Sequence, residues 1–197
     1  MKISVLFLMF SMVVCSQEKW TRASAEAFQN QINKEFADKK ESPLTEPDFS
    51  AFKSLEFYPI NSKYVVTAHF MKAKNQPSFK MKTTGSRVSE YIKYGELHFE
   101  IDRKQLNLNV YQNIELSKKP GYEDYLFLPF SDLTCGKESY IGGRYIDMRF
   151  PKNDTVIIDF NTAYNPYCAY NHKYSCPIVP LENDLNVDIK AGVKKFH

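Results

Sequence analysis

The chain has 197 residues, a length that favours one domain with a sizeable hydrophobic core. Hydrophobic residues make up 43% of it and only 7 residues are glycine, a composition that excludes a disordered chain. The formal net charge is +3 and the basic residues are scattered along the sequence, so we expect no nucleic-acid partner.

Residues 1–16, MKISVLFLMFSMVVCS, have the pattern of a secretory signal peptide, with an early lysine, an apolar run and small residues at the end. We expect cleavage after Ser16 and a secreted or periplasmic protein. The alternative is a lipid anchor on Cys15, although the bulky Val14 stands where such sites need a small residue. No later run approaches the roughly 20 apolar residues of a membrane-crossing helix, so we expect no transmembrane span.

The remainder, residues 17–197, predicts a single all-β domain that begins with a helix at about 18–40. Phe28, Ile32 and Phe36 recur at every fourth position, which places one narrow apolar stripe on that helix. Two prolines follow, and we expect them to end the helix.

Short strands then follow one another without helices between them, which indicates a mainly β fold, an antiparallel barrel or a sandwich-like domain. Most of these runs alternate apolar and polar residues, as half-buried antiparallel strands do. The turn at 102–104 predicts a hairpin, and YLFLPF is apolar on both faces, which predicts a central strand. The predicted strands are KYVVTAHFMK (63–72), SFKMKT (78–83), GELHFEID (95–102), QLNLNVYQ (105–112), YLFLPF (125–130), GRYIDMRF (143–150), TVIIDF (155–160) and NVDIK (186–190).

The segment 159–185 has almost no helical or strand periodicity, and long irregular segments in small domains are usually functional. In an oxidising compartment, Cys168 and Cys176 favour a disulfide that pins this segment. The weaker alternative is a metal site formed by Cys168, His172 and Cys176. Cys135 is then left as an unpaired thiol.

Arg144 is the most informative single charge. It shares a face of its predicted strand with apolar residues, so its guanidinium requires an anionic partner if that face is the interior. An internal salt bridge with Asp159, Glu138 or Glu182 is favoured over the carboxylate or phosphate of a ligand.

Polar side chains gather where the strand TVIIDF meets the irregular segment: Asp159, Asn161, Tyr164 and Asn165. Together with Arg144 they form the predicted ligand-binding site, and Glu138 and Glu182 are further candidates. We therefore expect noncatalytic binding of a small or anionic ligand, or of an envelope protein, without a cofactor. The first alternative is an envelope hydrolase that uses Cys135 or two of these carboxylates, and the second is a purely structural envelope protein.

Several runs resemble a bacterial family known as domain of unknown function 1684. They are SPLTEPDFSAFKSLEFYPINSKY, EYIKYGELHFEID, LNVYQN, GYEDYLFLPFSDLT, ESYIGGRYIDMRFP, DFNTAYNPYCAYNHKYSCP, ENDL and IKAGVKKFH. The resemblance implies a secreted or envelope-associated protein of the same architecture, and it implies no activity. Cys135 departs from the small or polar residue that the family has after LT, so it is not expected to be a shared functional residue.

Overall fold

A computed structural model describes residues 20–197, in which eight strands form a curled, largely antiparallel sheet behind an N-terminal helix. The predicted mainly β fold is confirmed, with the sheet curled into a half-barrel. The elements are α1 (Arg22–Ala37), α2 (Glu46–Ala51), β1 (Val65–Lys72), β2 (Phe79–Met81), β3 (Ser89–Ile101), β4 (Lys104–Asn113), β5 (Tyr125–Asp132), β6 (Arg144–Arg149), β7 (Thr155–Asp159) and β8 (Asp184–Leu185). The strand order is β6-β5-β4-β3-β1-β7, while β2 pairs with β3 and β8 runs parallel to β5. The predicted signal peptide and Cys15 lie outside the described residues.

Helix α1 is shorter than the sequence pattern suggested. It begins after Thr21, whose side chain accepts a hydrogen bond from the Ser24 N–H, and it ends where Asp38 turns to an extended conformation. The prolines are therefore not what ends it. Pro47 instead lies in the first turn of α2, where its missing N–H leaves no helical hydrogen bond unmade.

The predicted hairpin joins β3 to β4. Asp102 and Arg103 both adopt positive φ angles, 51° and 61°, as a two-residue turn between twisted strands requires. A bulge between Lys93 and Gly95 shifts the register of β3 against β4. As a result, the alternation of inward- and outward-facing side chains is reversed at the start of β3.

The inner face of the sheet holds the main core. Leu126, Leu128 and Phe130 of β5 face this core, while Phe127 belongs to a second buried cluster on the outer face, so the strand is apolar on both sides as predicted. The predicted strand at 186–190 is wrong, since only Asp184–Leu185 pairs in this region. Its alternation has another cause: apolar residues of the C-terminal segment cover the open inner face, namely Leu185, Val187, Ile189 and Ala191.

Strands β6 and β7 are consecutive in the chain, yet they lie at opposite ends of the strand order. Residues 150–154 connect them, and so short a segment can join the two edges only because the sheet curls. β7 pairs with β1, with Asp159 opposite Val65.

Candidate functional site

The guanidinium of Arg144 is inside the protein and has no exposed surface. It forms an ion pair with Asp132, with Nη2 2.6 Å from Oδ2, and donates further hydrogen bonds to the carbonyls of Ala191 and Ile189. The charge is thus neutralised by the protein. The structure corrects the expected partner, because Asp132 takes the place of Asp159, Glu138 and Glu182.

Asp159 and Asn161 tie the N-terminal part of the chain to the end of β7. Asp159 Oδ2 accepts a hydrogen bond from Trp20 Nε1 at 2.7 Å, and its Oδ1 accepts two from Asn161. Asn161 is buried and bonds both the N–H and the carbonyl of Asn61. These contacts use both carboxylate oxygens of Asp159 and both amide hydrogens of Asn161, the groups that a ligand would otherwise bind.

The other candidate polar residues lie in separate contacts. Glu138 forms an exposed salt bridge with Lys190 at 2.9 Å, and Glu182 accepts a hydrogen bond from Tyr111 at 3.0 Å. Asn165 is buried and donates to a backbone carbonyl of the C-terminal tail. The expected meeting of Arg144 and these side chains in one site therefore does not occur.

A cavity of about 740 Å³ lies elsewhere, between the outer face of the sheet, helix α1 and the irregular segment. Aromatic residues are the largest group in its lining, and charged and polar groups stand among them. Such a volume suits a small organic molecule. Its lining includes Phe28, Gln31, Ile32, Glu35, Arg87, Tyr91, Leu116, Tyr125, Phe127, Tyr145, Asp147, Tyr164, Tyr167, Lys173, Tyr174, Ser175, Cys176 and Pro177.

Two features of the sheet place this wall. Along β6, Tyr145 and Asp147 point away from the inner core because successive side chains of a strand alternate. The bulge in β3 turns Tyr91 toward the same outer face, where it packs with Phe127 at a ring distance of 5.9 Å. Phe127 in turn meets Tyr145 edge-to-face at 4.7 Å.

Asp147 is an exposed carboxylate on the cavity wall. Its Oδ1 accepts hydrogen bonds from the Tyr125 hydroxyl at 2.7 Å and the Tyr164 hydroxyl at 2.6 Å. Burial, and then the neighbouring Asp147 charge, raise the pKa of both tyrosines well above the ordinary value. Both hydroxyls therefore stay protonated at neutral pH and continue to donate to the carboxylate.

Tyr145 fastens the irregular segment over the cavity. Its backbone exchanges two hydrogen bonds with Tyr164, at 2.9 and 3.0 Å, and its hydroxyl donates to the Pro177 carbonyl. Burial raises the pKa of this hydroxyl also. The segment is thus attached to β6 at two points thirteen residues apart along the chain, and the cavity wall is fixed between them.

Cys168 and Cys176 lie side by side as free thiols, so the expected disulfide is not present. The Cys168 N–H donates to Cys176 Sγ at 3.2 Å, and a hydrogen bond from the Cys176 thiol lowers the pKa of Cys168 to about 6. His172 is exposed. Within residues 20–197, no group of three His, Cys, Asp or Glu side chains is placed to hold a metal ion, which removes support from the alternative site.

Cys135 is poorly suited to act as a nucleophile. Its Sγ accepts weak hydrogen bonds from the Asp132 N–H and the Ser139 hydroxyl, and burial raises its pKa. No histidine is among these partners, so the thiol has no base beside it.

Of the residues that the sequence singled out, Tyr164 and Cys176 line the cavity. Asp147 and Tyr145 were overlooked as site residues, although the alternation of GRYIDMRF placed both on the face opposite Arg144.

Among the helices of residues 20–197, none combines the length and the hydropathy that a membrane span requires.

Comparison with known proteins gives a family and a fold. The chain resembles an uncharacterised protein of Haloarcula marismortui solved by solution NMR, with 28% identity, a TM-score of 0.69, and coverage of 87% of this chain and 92% of that one. No curated protein matches the sequence. The family model described as "protein of unknown function (DUF1684)" matches residues 50–194, so the chain belongs to the DUF1684 family.

Proposed function

We propose that this protein is an extracytoplasmic, noncatalytic binding protein that holds a small ligand in the cavity around Asp147. The single observation that carries the proposal is the cavity itself: about 740 Å³, lined by aromatic residues together with Asp147 and a few other charged and polar groups. Ligand sites in proteins commonly combine a mostly apolar wall with a few placed polar groups. A purely structural protein has no need of such a space.

Arg144 is not a ligand-binding residue in this proposal. An anionic ligand would have to compete with Asp132 for a guanidinium that has no exposed surface. The hydrolase alternative also lacks support, because Asp159, Glu138 and Glu182 are engaged in separate contacts and Cys135 has no adjacent base.

Location outside the cytoplasm is supported by the signal-peptide pattern of residues 1–16. Recovery of a protein that begins at Gln17 from the culture medium or periplasm is the expected result. A chain that keeps residues 1–16 and stays in the cytoplasm would contradict this part of the proposal.

The neutral dye Nile red tests the cavity, because its fluorescence increases in apolar surroundings. Gln31 and Lys34 are both exposed on α1, but only Gln31 lines the cavity. Replacing Gln31 with tryptophan should obstruct the cavity, whereas Lys34→Trp adds the same ring elsewhere on the helix. We expect wild type and Lys34→Trp to bind the dye equally and Gln31→Trp to bind it several-fold more weakly. Equal binding by all three proteins, or none by wild type, would overturn the proposal.

A further inference from the structure

Three tyrosine hydroxyls of the cavity wall have no hydrogen atom left to offer to a ligand. Tyr125 and Tyr164 each donate to Asp147, and Tyr145 donates to the Pro177 carbonyl. A tyrosine carries one hydroxyl hydrogen, so each of these groups presents only lone pairs to a ligand. Asp147 and these three hydroxyls therefore offer a ligand hydrogen-bond acceptors and no donors.

Asp147 also lacks a cationic partner. In the described part of the chain, residues 20–197, no Lys, Arg or His nitrogen lies within salt-bridge distance of its carboxylate. Arg149 follows on the same face of β6, but it pairs with Asp124 at 2.7 Å and donates to the Gly121 carbonyl. The negative charge of Asp147 is thus balanced only by neutral hydroxyl donors.

Two basic residues do line the cavity, and both are occupied by the irregular segment. Arg87 donates through Nη2 to the Ser175 carbonyl at 2.9 Å, and Lys173 Nζ lies 5.0 Å from the centre of the Tyr174 ring. Arg87 and Lys173 are exposed, as Asp147 also is, so solvent screens all three charges. Asp147 differs from them in that two tyrosine hydroxyls fix the position of its carboxylate. A second carboxylate, Glu35, stands on the helix side of the cavity.

The aromatic wall adds to this acceptor character. Ring faces carry partial negative charge and attract cations by about 0.5–2 kcal/mol each, depending on solvent exposure. Tyr91, Phe127, Tyr145 and Tyr164 all lie on the cavity wall with Asp147. Rings beside a carboxylate that lacks a cation are the surroundings in which a protein binds an ammonium group.

We propose that the ligand is an organic cation, with an ammonium group at Asp147 and an apolar or aromatic body against the ring faces. The inference rests on the proposed function and specifies the chemical class of its ligand. The sequence suggested an anionic ligand because of Arg144. The structure buries that arginine in the core and leaves the carboxylate of Asp147 exposed in the cavity, so the ligand that we propose carries the opposite charge.

Three probes of nearly equal size and different charge test the inference: 2-phenylethylammonium, 2-phenylethanol and 3-phenylpropionate. Binding to the mature protein is measured by isothermal titration calorimetry and ligand-observed NMR. We expect the ammonium compound to bind roughly tenfold or more tightly than the alcohol, and the carboxylate compound to bind most weakly. The preference for the cation should decrease as salt is added.

Asp147→Asn removes the charge while keeping an oxygen that can accept from both tyrosines. We expect this variant to bind the ammonium compound no more tightly than the alcohol. Asp154→Asn, an exposed change outside the cavity lining, should leave the preference intact.

The outcomes separate the two proposals. Alcohol and ammonium bound equally by wild type, or a cation preference that survives Asp147→Asn, would overturn the cationic ligand while leaving a binding cavity. Absence of binding by all three probes would overturn the proposed function itself, and the inference with it.

Discussion

Arg144 and Asp132 form an ion pair in which neither side chain has any exposed surface. Asp132 ends β5 and Arg144 begins β6, and pairing of these strands places Phe130 opposite Arg144. The pair also organises the C-terminal segment, because Arg144 donates to two of its carbonyls and Asp132 accepts from the Ile189 N–H.

Replacing Arg144 with methionine should destabilise the fold by about 3–5 kcal/mol, since Asp132 would remain buried without its partner. Urea denaturation measures the change. Arg149→Met is the matched control: it breaks an exposed ion pair on the same strand and should cost less than about 1 kcal/mol. Should Arg144→Met fail to fold, the double variant with Asp132→Asn should recover folded protein, because it removes the unpaired charge and keeps an oxygen that accepts from the Ile189 N–H. Equal costs for the two single variants would contradict the prediction.

Asn183 substitutes for missing pairing between β4 and β5, which share only the register pair Tyr111 and Phe127. Its side chain accepts from the Asn109 N–H and donates to the carbonyls of Asn109 and Pro129, all within 2.9 Å. Asn183→Ala should cost about 3 kcal/mol in the free energy of unfolding, because buried backbone groups lose their partners. The exposed Asn186→Ala serves as control, and equal denaturation midpoints for both variants would refute the role.

The paired thiols should form a disulfide when oxidised, which mass spectrometry reads as a loss of two hydrogen masses. The lowered pKa of Cys168 means that its thiolate is present above about pH 6. The rate of oxidation by hydrogen peroxide should therefore rise as the pH increases through 6. The oxidation rate of an ordinary thiol rises near about pH 8.5. Cys135→Ser should oxidise like wild type, and Cys176→Ser should not form the bond. A rate that rises only near the ordinary thiol value would contradict the prediction.

Trp20 is the single tryptophan of the chain, and its indole donates to Asp159. Asp159→Ala should free the ring, so its fluorescence should shift to longer wavelength and become more accessible to acrylamide. Asp154→Ala should leave both signals unchanged. An unaltered spectrum in Asp159→Ala would show that other contacts hold the indole.

Local patterns predicted those parts of the fold that depend on neighbouring residues. The β3–β4 hairpin followed from two alternating runs joined at 102–104, and the two buried faces of β5 followed from the uninterrupted apolar run. The buried position of Arg144 could likewise be derived from strand alternation. Its partner could not, because Asp132 is brought close by the register of β5 against β6, which alternation does not determine.

The cavity could not be predicted from local sequence patterns, for the same physical reason. Alternation placed Tyr145 and Asp147 on one face, but what covers that face depends on where α1 and the irregular segment dock. The bulge in β3 also mattered, since it turns Tyr91 outward. Gly95 was the local sign of this bulge, because a glycine inside a strand often marks one. Residues 186–190 gave the opposite error, a predicted strand that is not there. Their side chains alternate between buried and exposed positions, but the segment does not pair as a strand.

The pairing of β1 with β7 determines which parts of the sheet can form early and which must form late. The β3–β4 hairpin can form as soon as its own residues are available, because its contacts are close in sequence. Val65, however, meets Asp159 only after most of the chain has been synthesised, and the C-terminal segment that covers the core comes later still. A nascent chain therefore exposes the inner face of its sheet until synthesis is nearly finished, a period in which chaperones can bind that apolar surface.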